Sequence, residues 1–253
     1  MKITEQTYLK NYELSVGDKI ANYSAISSQT DLITDLGYKN QASAVYSANI
    51  EGNSIDLNSF MNHALLKAKG KNNKEIVEIE NLVAAYEYAQ GNQLNAKNLL
   101  HCHAILSETL LIKSKRGHFR NEKIGVFDQY GLVYLAIEPE YVDGKMNEFF
   151  ADLENLLNTN LSTTEVFYHA ALIHLIFAHI HPFSDGNGRV ARLLEKWFIA
   201  EKLGKSFWNL QTEKYYKEHR QDYYENIKLG ANYYELDYSA CLPFLLMSIN
   251  SLT

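Results

Sequence analysis

The residues best suited to chemistry lie in one stretch, from His181 to Arg192, which reads HPFSDGNGRVAR. An apolar segment, 166–180, precedes it, and the Ser-x-x-Glu spacing just before that segment is typical of a helix capping box. That helix is predicted to end near His181, because a residue before proline is disfavoured in the α conformation. A second helical pattern then runs to Gly204, which suits a left-handed cap. The stretch is therefore predicted to be a loop between two helices.

The tetrapeptide DGNG at 185–188 has the composition of an anion-binding turn. Glycines allow positive φ and leave no Cβ in the way, so several backbone N–H groups can converge on one cluster of oxygens. The helix that follows adds unpaired N–H groups and the positive end of its dipole. Arg189 and Arg192 are three residues apart in its first turns, so we predict that they share a face and point at the same anion.

His181 and Asp185 would give this loop a base and a metal ligand. Histidine is the one side chain here that exchanges a proton near neutral pH. A carboxylate suits an anion site when a cation bridges it to phosphate, and Mg²⁺ binds through one or two carboxylates and substrate phosphates. The combination predicts transfer at a phosphate. Two alternatives stay open: a glycine turn without function, and metal binding by His179, His181 and Asp185, although no cysteine or downstream histidine pair completes a zinc set.

The twelve residues match without a gap the signature H-P-F-x-D-G-N-G-R-x-x-R of the Fic (Fic/Doc, or Fido) family, which this chain resembles. The resemblance implies a mostly α fold, a Fic-type helical bundle with a small β-hairpin flap. It also implies transfer of AMP from Mg-ATP to a Ser, Thr or Tyr hydroxyl of a target protein, with release of pyrophosphate. His181 would be the catalytic base, and Asp185 would hold the Mg²⁺. The implied nucleotide-binding residues of the loop are Asp185, Gly186, Asn187, Gly188, Arg189 and Arg192.

A second motif lies upstream, where a short helix over about 41–52 is predicted to end at Gly52. Ser47 and Glu51 are four residues apart on one face of that helix. A surface glutamate without function is the alternative there. The spacing Ser-x-x-x-Glu-Gly also resembles the [S/T]-x-x-x-E-[G/N] motif of self-inhibited Fic proteins. The resemblance implies that Glu51, with Ser47 in the same inhibitory motif, pairs with Arg192 and occupies the place of the γ-phosphate of ATP.

Residues 124–137 have the pattern of a β-hairpin around a turn that ends in glycine. By itself such a hairpin is a structural element or a contact between two copies of the chain, so a homodimer remains one of the alternatives. In the Fic family, a hairpin at this place is the flap, which flanks the nucleotide and holds an unidentified target protein by strand addition. Its nucleotide-side edge would consist of Val126, Phe127, Asp128 and Gln129.

The adenine contacts would come from the C-terminal part of the chain. The sequence 215–224 resembles the family helix whose paired tyrosines lie against adenine, and Tyr223 and Tyr224 match that pair. Asn232 is the candidate for a contact with adenine or ribose, although its spacing from the tyrosines is shifted by one residue. For each of these residues the alternative is a place in a tyrosine-rich core.

Composition excludes several classes of protein. The 253 residues, 46% of them hydrophobic, suffice for one large domain or one domain with an appendage. A net charge of −6 argues against nucleic acid as a partner. The two cysteines form no disulfide framework and suit a reducing compartment. No run approaches the ~20 apolar residues of a membrane span, and no apolar leader is recognisable, so we expect no membrane partner and a cytoplasmic location.

We expect three regions along the chain. They are an N-terminal helical region, 1–97, with the inhibitory helix; the Fic core with flap and catalytic loop, 98–238; and a C-terminal helix, 239–253. One or two amphipathic helices are expected within 1–35. Two further functions stay open, the removal of AMP from protein with Glu51 aligning a water, and an ATP-binding regulatory module with negligible turnover. Relatives also use other nucleotide donors, and the residues do not exclude that.

Overall fold

The structure is a computed structural model that describes residues 1–20, 36–66, 73–128 and 131–252. Part of the N-terminal stretch for which amphipathic helices were expected, and the predicted flap residue Gln129, lie outside the described residues. Within the described ranges the chain forms eleven α-helices and one two-stranded hairpin, which confirms the expected mostly α fold. The helices are α1 Leu9–Val16, α2 Leu36–Ile50, α3 Leu57–Leu66, α4 Lys74–Gly91, α5 Ala96–Leu106, α6 Pro139–Asn158, α7 Thr163–Ile180, α8 Asn187–Leu203, α9 Thr212–Glu218, α10 Arg220–Ile227 and α11 Leu242–Asn250; the strands are β1 Gly125–Asp128 and β2 Gly131–Leu135.

Helices α7 and α8 pack against each other and form the centre of the fold. The predicted capping box is present at the start of α7, where the Ser162 hydroxyl accepts from the Glu165 N–H and the Glu165 side chain accepts from the Ser162 N–H. From Val166 to Ile180 every residue except Ala178 is buried. A helix that is apolar on all sides is a core helix, and burial on every side fixes its end, where the loop begins.

Helix α2 brings the upstream motif to the centre of the fold. It packs against α4, α8 and α9, and its buried face contains small side chains, Ala42, Ser43, Ala44, Ser47 and Ala48. Small side chains let two helix backbones approach closely. The helix ends at Ile50, and Gly52 follows with a φ of 99°. The predicted termination at this glycine is confirmed.

The hairpin is antiparallel, with an irregularity in the register between Val126 and Phe127. On its outer side, β2 receives a short parallel bridge, in which the Leu135 N–H donates to the Ala231 carbonyl at 3.0 Å. The hydroxyl of Tyr134, a buried residue of β2, donates to the carbonyl of His179 at 2.7 Å. This bond ties the hairpin to the last turn of α7, so the predicted flap lies next to the loop. None of the described helices is long and apolar enough to cross a membrane.

Candidate active site

His181 occupies the residue position that ends α7, with φ 52° and ψ 58°. Among the described residues it is the one non-glycine residue at positive φ. Such a conformation costs about 1 kcal/mol or more and persists only where the surroundings impose it. Two contacts of Arg120 do so: its Nε donates to the His181 carbonyl at 2.7 Å, and its own N–H donates to the Pro182 carbonyl at 2.9 Å. The buried arginine therefore fixes the backbone that carries the histidine.

The imidazole of His181 is oriented as a base. Its Nδ1 lies 3.2 Å from the carbonyl of Ala178. A carbonyl only accepts hydrogen bonds, so Nδ1 carries the proton and Nε2 presents a lone pair. Burial lowers the pKa of His181, the positive charge of Arg120 lowers it further, and Glu51 and Asp185 oppose the shift. The neutral form, which can accept a proton, therefore persists to a lower pH than for a histidine in water.

The loop is held from below by Phe183 and Asn187. Asn187 is buried, and its side chain both accepts from the Phe183 N–H and donates to the Phe183 carbonyl, each at 2.8 Å. The ring of Phe183 stacks on the imidazole of His103, with centroids 3.6 Å apart. His103 accepts the Gly117 N–H at Nδ1 and therefore donates from Nε2 to the Asp185 carbonyl at 3.0 Å. Burial lowers the pKa of His103 to about 4, so the imidazole stays neutral and supports the loop through these contacts.

The residues of the predicted anion site lie at the N-terminus of α8. Gly186, with φ 83°, precedes the helix and supplies no side-chain cap. The first hydrogen bond of the helix joins the Val190 N–H to the Gly186 carbonyl. The N–H groups of Asn187, Gly188 and Arg189 accordingly have no partner within the helix and lie at the positive end of its dipole. The predicted loop geometry is present, with the turn glycine in the left-handed region as expected.

The carboxylate of Glu51 lies at this helix N-terminus. A Cβ built on Gly188 would overlap Glu51 Oε1, so the absence of a side chain there is what admits the carboxylate. Glu51 Oε1 accepts from Arg192 NH2 at 2.7 Å. The side chain of Arg192 is fully buried and that of Glu51 is 24% exposed. Burial alone would raise the pKa of Glu51, but the charges of Arg192 and then Arg189 outweigh it and lower that pKa, so the pair is ionised.

Ser47 contacts the arginine, not the glutamate. Its hydroxyl accepts from Arg192 Nε at 3.0 Å, and its carbonyl accepts from NH2 at 3.0 Å. The remaining nitrogen of the guanidinium, NH1, donates to the hydroxyl of Tyr223 at 3.2 Å. Ser47 and Tyr223 therefore grip Arg192 from two sides, and both contacts are independent of Glu51.

Arg189 takes a different direction from the one its spacing suggested. Its Nε donates to Glu78 Oε1 at 2.9 Å, and NH2 contacts the same oxygen. Glu78 is a buried residue of α4, and its other oxygen accepts from the Asn53 side chain at 3.2 Å. The two arginines are thus paired with two different carboxylates, Arg189 with Glu78 and Arg192 with Glu51. Electrostatically they still share one site, because both lower the pKa of Glu51.

The predicted adenine residues lie in different surroundings. Tyr223 is 2% exposed, whereas Tyr224 is 39% exposed and donates from its hydroxyl to the Ile50 carbonyl at 3.0 Å. Asn232 accepts from the Tyr234 N–H at 3.0 Å and is bridged to Leu135 of β2. Contact of these residues with a nucleotide stays a prediction.

The predicted flap edge is near the loop through Tyr134, as described above. Val126 pairs with Tyr134, and Asp128 pairs with Gly131, across the hairpin. The side chain of Phe127 is 69% exposed. An aromatic ring so exposed on a strand edge is available to a partner or a ligand, and its role stays a prediction.

Asp185 fits the metal that the sequence implies. It is exposed, and its Oδ1 accepts from the Gly186 N–H at 2.6 Å, which leaves the second oxygen available. Within the part of the chain that the structure describes, no group of three or more His, Cys, Asp or Glu residues could hold a metal ion. A cation at Asp185 would therefore take its other ligands from phosphate and water, which is how Mg²⁺ is commonly bound.

Three residues of the site were not predicted. Arg120 fixes the backbone of His181, Glu78 orients Arg189, and His103 supports the loop. Each acts through a contact with a residue distant in sequence, and the spacing of nearby residues does not predict that contact. The closest signal was the pair of histidines at 101 and 103, one of which had to face the core.

Comparison with known proteins relates the chain to one family. Residues 93–199 match the model of the Fic/DOC family, and the relatives and solved structures described next support a Fic family protein. A protein adenylyltransferase Fic of Culex quinquefasciatus is 28% identical over 190 residues, which cover 73% of this chain and 36% of that relative. A protein adenylyltransferase Fic of Aedes aegypti is 28% identical over 224 residues, which cover 81% and 41%. The chain thus spans about two fifths of the length of these curated relatives.

Solved structures share the fold over nearly the whole chain. A Fic family protein from Desulfovibrio desulfuricans G20 has a TM-score of 0.74 at 26% identity, covering 97% of this chain and 72% of that one. A Fic domain containing signaling protein from Bacteroides thetaiotaomicron has a TM-score of 0.72 at 18% identity, covering 94% of both. These likenesses confirm the expected Fic-type helical bundle with its hairpin.

Proposed function

We propose that this protein transfers AMP from ATP to a hydroxyl group of another protein and that Glu51 inhibits the transfer. The observation that carries the proposal is the arrangement of the 181–192 loop: a histidine whose Nε2 presents a lone pair lies beside the N-terminus of α8 and a buried arginine, and the carboxylate of Glu51 lies at that N-terminus. The names of the relatives, protein adenylyltransferase Fic, support the same reaction.

The reaction is an in-line displacement at the α-phosphorus. Nε2 of His181 accepts the proton of a Ser, Thr or Tyr hydroxyl as that oxygen attacks. The bond between the α-phosphorus and the oxygen that bridges it to the β-phosphorus breaks. AMP stays on the hydroxyl oxygen of the target protein, and pyrophosphate leaves. Arg120 keeps the imidazole in place by holding the His181 carbonyl, so the base needs no rearrangement before it acts.

The N-terminus of α8 binds the phosphates. The N–H groups of Asn187, Gly188 and Arg189 point at the place where negative charge develops, and preorganised donors of this kind dominate catalysis of phosphoryl transfer. Asp185 would hold Mg²⁺, and the ion would neutralise negative charge on the phosphates. Arg192 binds the γ-phosphate once its carboxylate partner has moved away.

Inhibition follows from the position of Glu51. Its carboxylate is an anion held between Gly188 and Arg192, where the terminal phosphate of ATP belongs. A nucleotide that lies over α8 must displace it. The wild-type chain is therefore expected to transfer AMP slowly until Glu51 is released.

The target binds by strand addition to β1. Among the described residues, β1 pairs with β2 alone, whereas β2 is bridged on its other side to Asn232. An extended peptide on the free edge would be held by main-chain hydrogen bonds, which place a hydroxyl beside His181 and demand little of the sequence. The target protein and the type of residue modified are identified by the mass spectrometry described next.

The test is mass spectrometry of a cell lysate treated with a Glu51→Gly variant and ATP. Peptides that carry AMP on a hydroxyl, absent when the same variant also contains His181→Ala, would support the proposal. If no peptide gains AMP while the variant binds ATP, the transferase assignment is wrong and an ATP-binding regulatory module replaces it.

A further inference from the structure

A chain of buried hydrogen bonds begins at NH1 of Arg192, whereas Glu51 contacts NH2. The guanidinium donates from NH1 to the Tyr223 hydroxyl at 3.2 Å, and that hydroxyl lies 2.9 Å from Nε2 of His174. Nδ1 of His174 lies 2.7 Å from Glu195 Oε2. Arg192, His174 and Glu195 are 0% exposed and Tyr223 is 2% exposed, so no part of the chain relies on water.

The hydrogen bonds of this chain run in one direction. Glu195 accepts only, so Nδ1 of His174 carries a proton, and in the neutral imidazole Nε2 is then an acceptor. Tyr223 consequently donates to His174 and accepts from Arg192. Burial raises the pKa of the Tyr223 hydroxyl, which keeps it protonated as that donor. Successive bonds of this kind polarise one another and fix the geometry of each member.

Glu195 is the carboxylate at the end of this series of hydrogen bonds. The neighbouring buried carboxylate, Glu213, already has a cation, because Lys196 Nζ lies 2.6 Å from its Oε2. Glu195 is bonded to His174 and to the hydroxyl of Tyr216, 2.9 Å from each of its oxygens, and neither partner is a permanent cation. A buried carboxylate needs an opposite charge nearby, and Lys196 supplies part of it: burial lowers the pKa of Lys196, and the charges of Glu213 and Glu195 oppose that shift. Hydrogen bonds through His174 and Tyr223 link Glu195 to Arg192.

Arg192 thus has two carboxylates with different properties. Glu51 touches it directly, is 24% exposed and lies at the end of a helix. Glu195 is linked to it through the core and cannot leave. We infer that Tyr223, fixed by His174 and Glu195, is a positioning residue that keeps Arg192 aimed at the anion site after Glu51 has moved away. The inference deepens the proposed function, in which Arg192 binds the γ-phosphate, and gives Tyr223 a place other than against adenine.

The test compares Tyr223→Phe with Tyr216→Phe, both in a Glu51→Gly background. Each substitution removes one buried hydroxyl and keeps the ring, but only Tyr223 contacts Arg192. Dissociation constants for Mg-ATP and Mg-ADP are measured by calorimetry. Tyr223→Phe should weaken ATP binding by about three- to tenfold, the usual net effect of one hydrogen bond, because Arg192 loses the Tyr223 contact but keeps its two contacts with Ser47. ADP binding should stay unchanged. Tyr216→Phe should leave the ratio of the two constants unchanged.

A second measurement examines Arg192 without any nucleotide. In the same variants, exchange of the Arg192 NH1 hydrogens with solvent is followed by NMR, because NH1 donates to Tyr223 whereas Nε donates to Ser47. Tyr223→Phe should speed that exchange by about fivefold or more while Tyr216→Phe should not. Unchanged exchange in Tyr223→Phe, or equal losses of ATP and ADP affinity, would overturn the inference. A third outcome separates the two proposals: Tyr223→Phe speeds the exchange, but the Glu51→Gly parent binds ATP and ADP equally well. That result would support the positioning role of Tyr223 and would refute the binding of the γ-phosphate by Arg192 in the proposed function.

Discussion

Replacing Glu51 by glycine removes the carboxylate that occupies the N-terminus of α8. The backbone there tolerates the change, because Glu51 lies in the turn after Ile50 and its N–H bond to the Ala48 carbonyl, 3.0 Å long, remains. The grip of Ser47 on Arg192 also remains. The perturbation is therefore confined to the carboxylate that, in the proposed function, competes with ATP.

The size of the effect follows from the pair that is lost. Glu51 Oε1 and Arg192 NH2 are 2.7 Å apart, and the arginine is fully buried. A charge-assisted hydrogen bond of this kind contributes about 1.5–3 kcal/mol. Each 1.4 kcal/mol changes the competent population about tenfold. Glu51→Gly should therefore raise the rate of AMP transfer by about ten- to a hundredfold.

The assay is incorporation of label from α-labelled ATP into protein, for Glu51→Gly, Arg192→Ala and a control. Glu87→Gly is the control, since Glu87 is an exposed residue of α4 and its loss weakens that helix by roughly 1 kcal/mol without touching either arginine. Arg192→Ala also frees Glu51 but should stay slow, because the γ-phosphate loses its partner. Equal, small effects of Glu51→Gly and Arg192→Ala would refute inhibition by Glu51. Activation by Glu87→Gly would show that loss of helix stability, and not loss of the Glu51 carboxylate, causes the activation.

Three further outcomes are expected, all measured in the Glu51→Gly background. His181→Ala should lower transfer by about 10²- to 10⁴-fold, the usual worth of a general base, with little change in melting temperature or ATP affinity; transfer near the parent rate would exclude this base. Asp185→Ala should lower Mg²⁺-dependent transfer at least about tenfold, with partial recovery in excess Mg²⁺, and unchanged metal dependence would reduce Asp185 to its bond with the Gly186 N–H. The value of kcat/KM should decline on the acidic side with a midpoint below about pH 6.5. The base works in its neutral form, and burial and then Arg120 lower the pKa of His181. A midpoint above about pH 6.5 would contradict the assignment of His181 as the base.

Much of the site could be predicted because its chemistry is local in sequence. The capping box, the proline after His181 and the glycines of the loop each determine backbone conformation within a few residues, and all three act as expected. The contact between Glu51 and Arg192 is separated by 141 positions. It was predicted from two motifs of opposite charge and a family resemblance, not from spacing alone.

The contacts that sequence reasoning missed have tertiary causes. Arg189 and Arg192 share a helix turn, yet Glu78 draws the first to α4, and only the packing of α4 reveals that. Tyr223 and Tyr224 are neighbours in sequence but lie on different faces of α10, so one is buried and the other half exposed. Helix periodicity says that adjacent residues diverge, but it does not say which of them faces the core.

Transfer of AMP, as opposed to the terminal phosphate, by the 181–192 loop can be distinguished by the position of the label in ATP. Glu51→Gly protein is incubated with Mg²⁺ and with ATP labelled on either the α- or the γ-phosphate, and protein-bound label is counted. We expect label from the α-phosphate, none from the γ-phosphate, and loss of the α signal in the variant that also contains His181→Ala. Label from the γ-phosphate, or none from the α-phosphate in a variant that binds ATP, would contradict transfer of AMP by this loop.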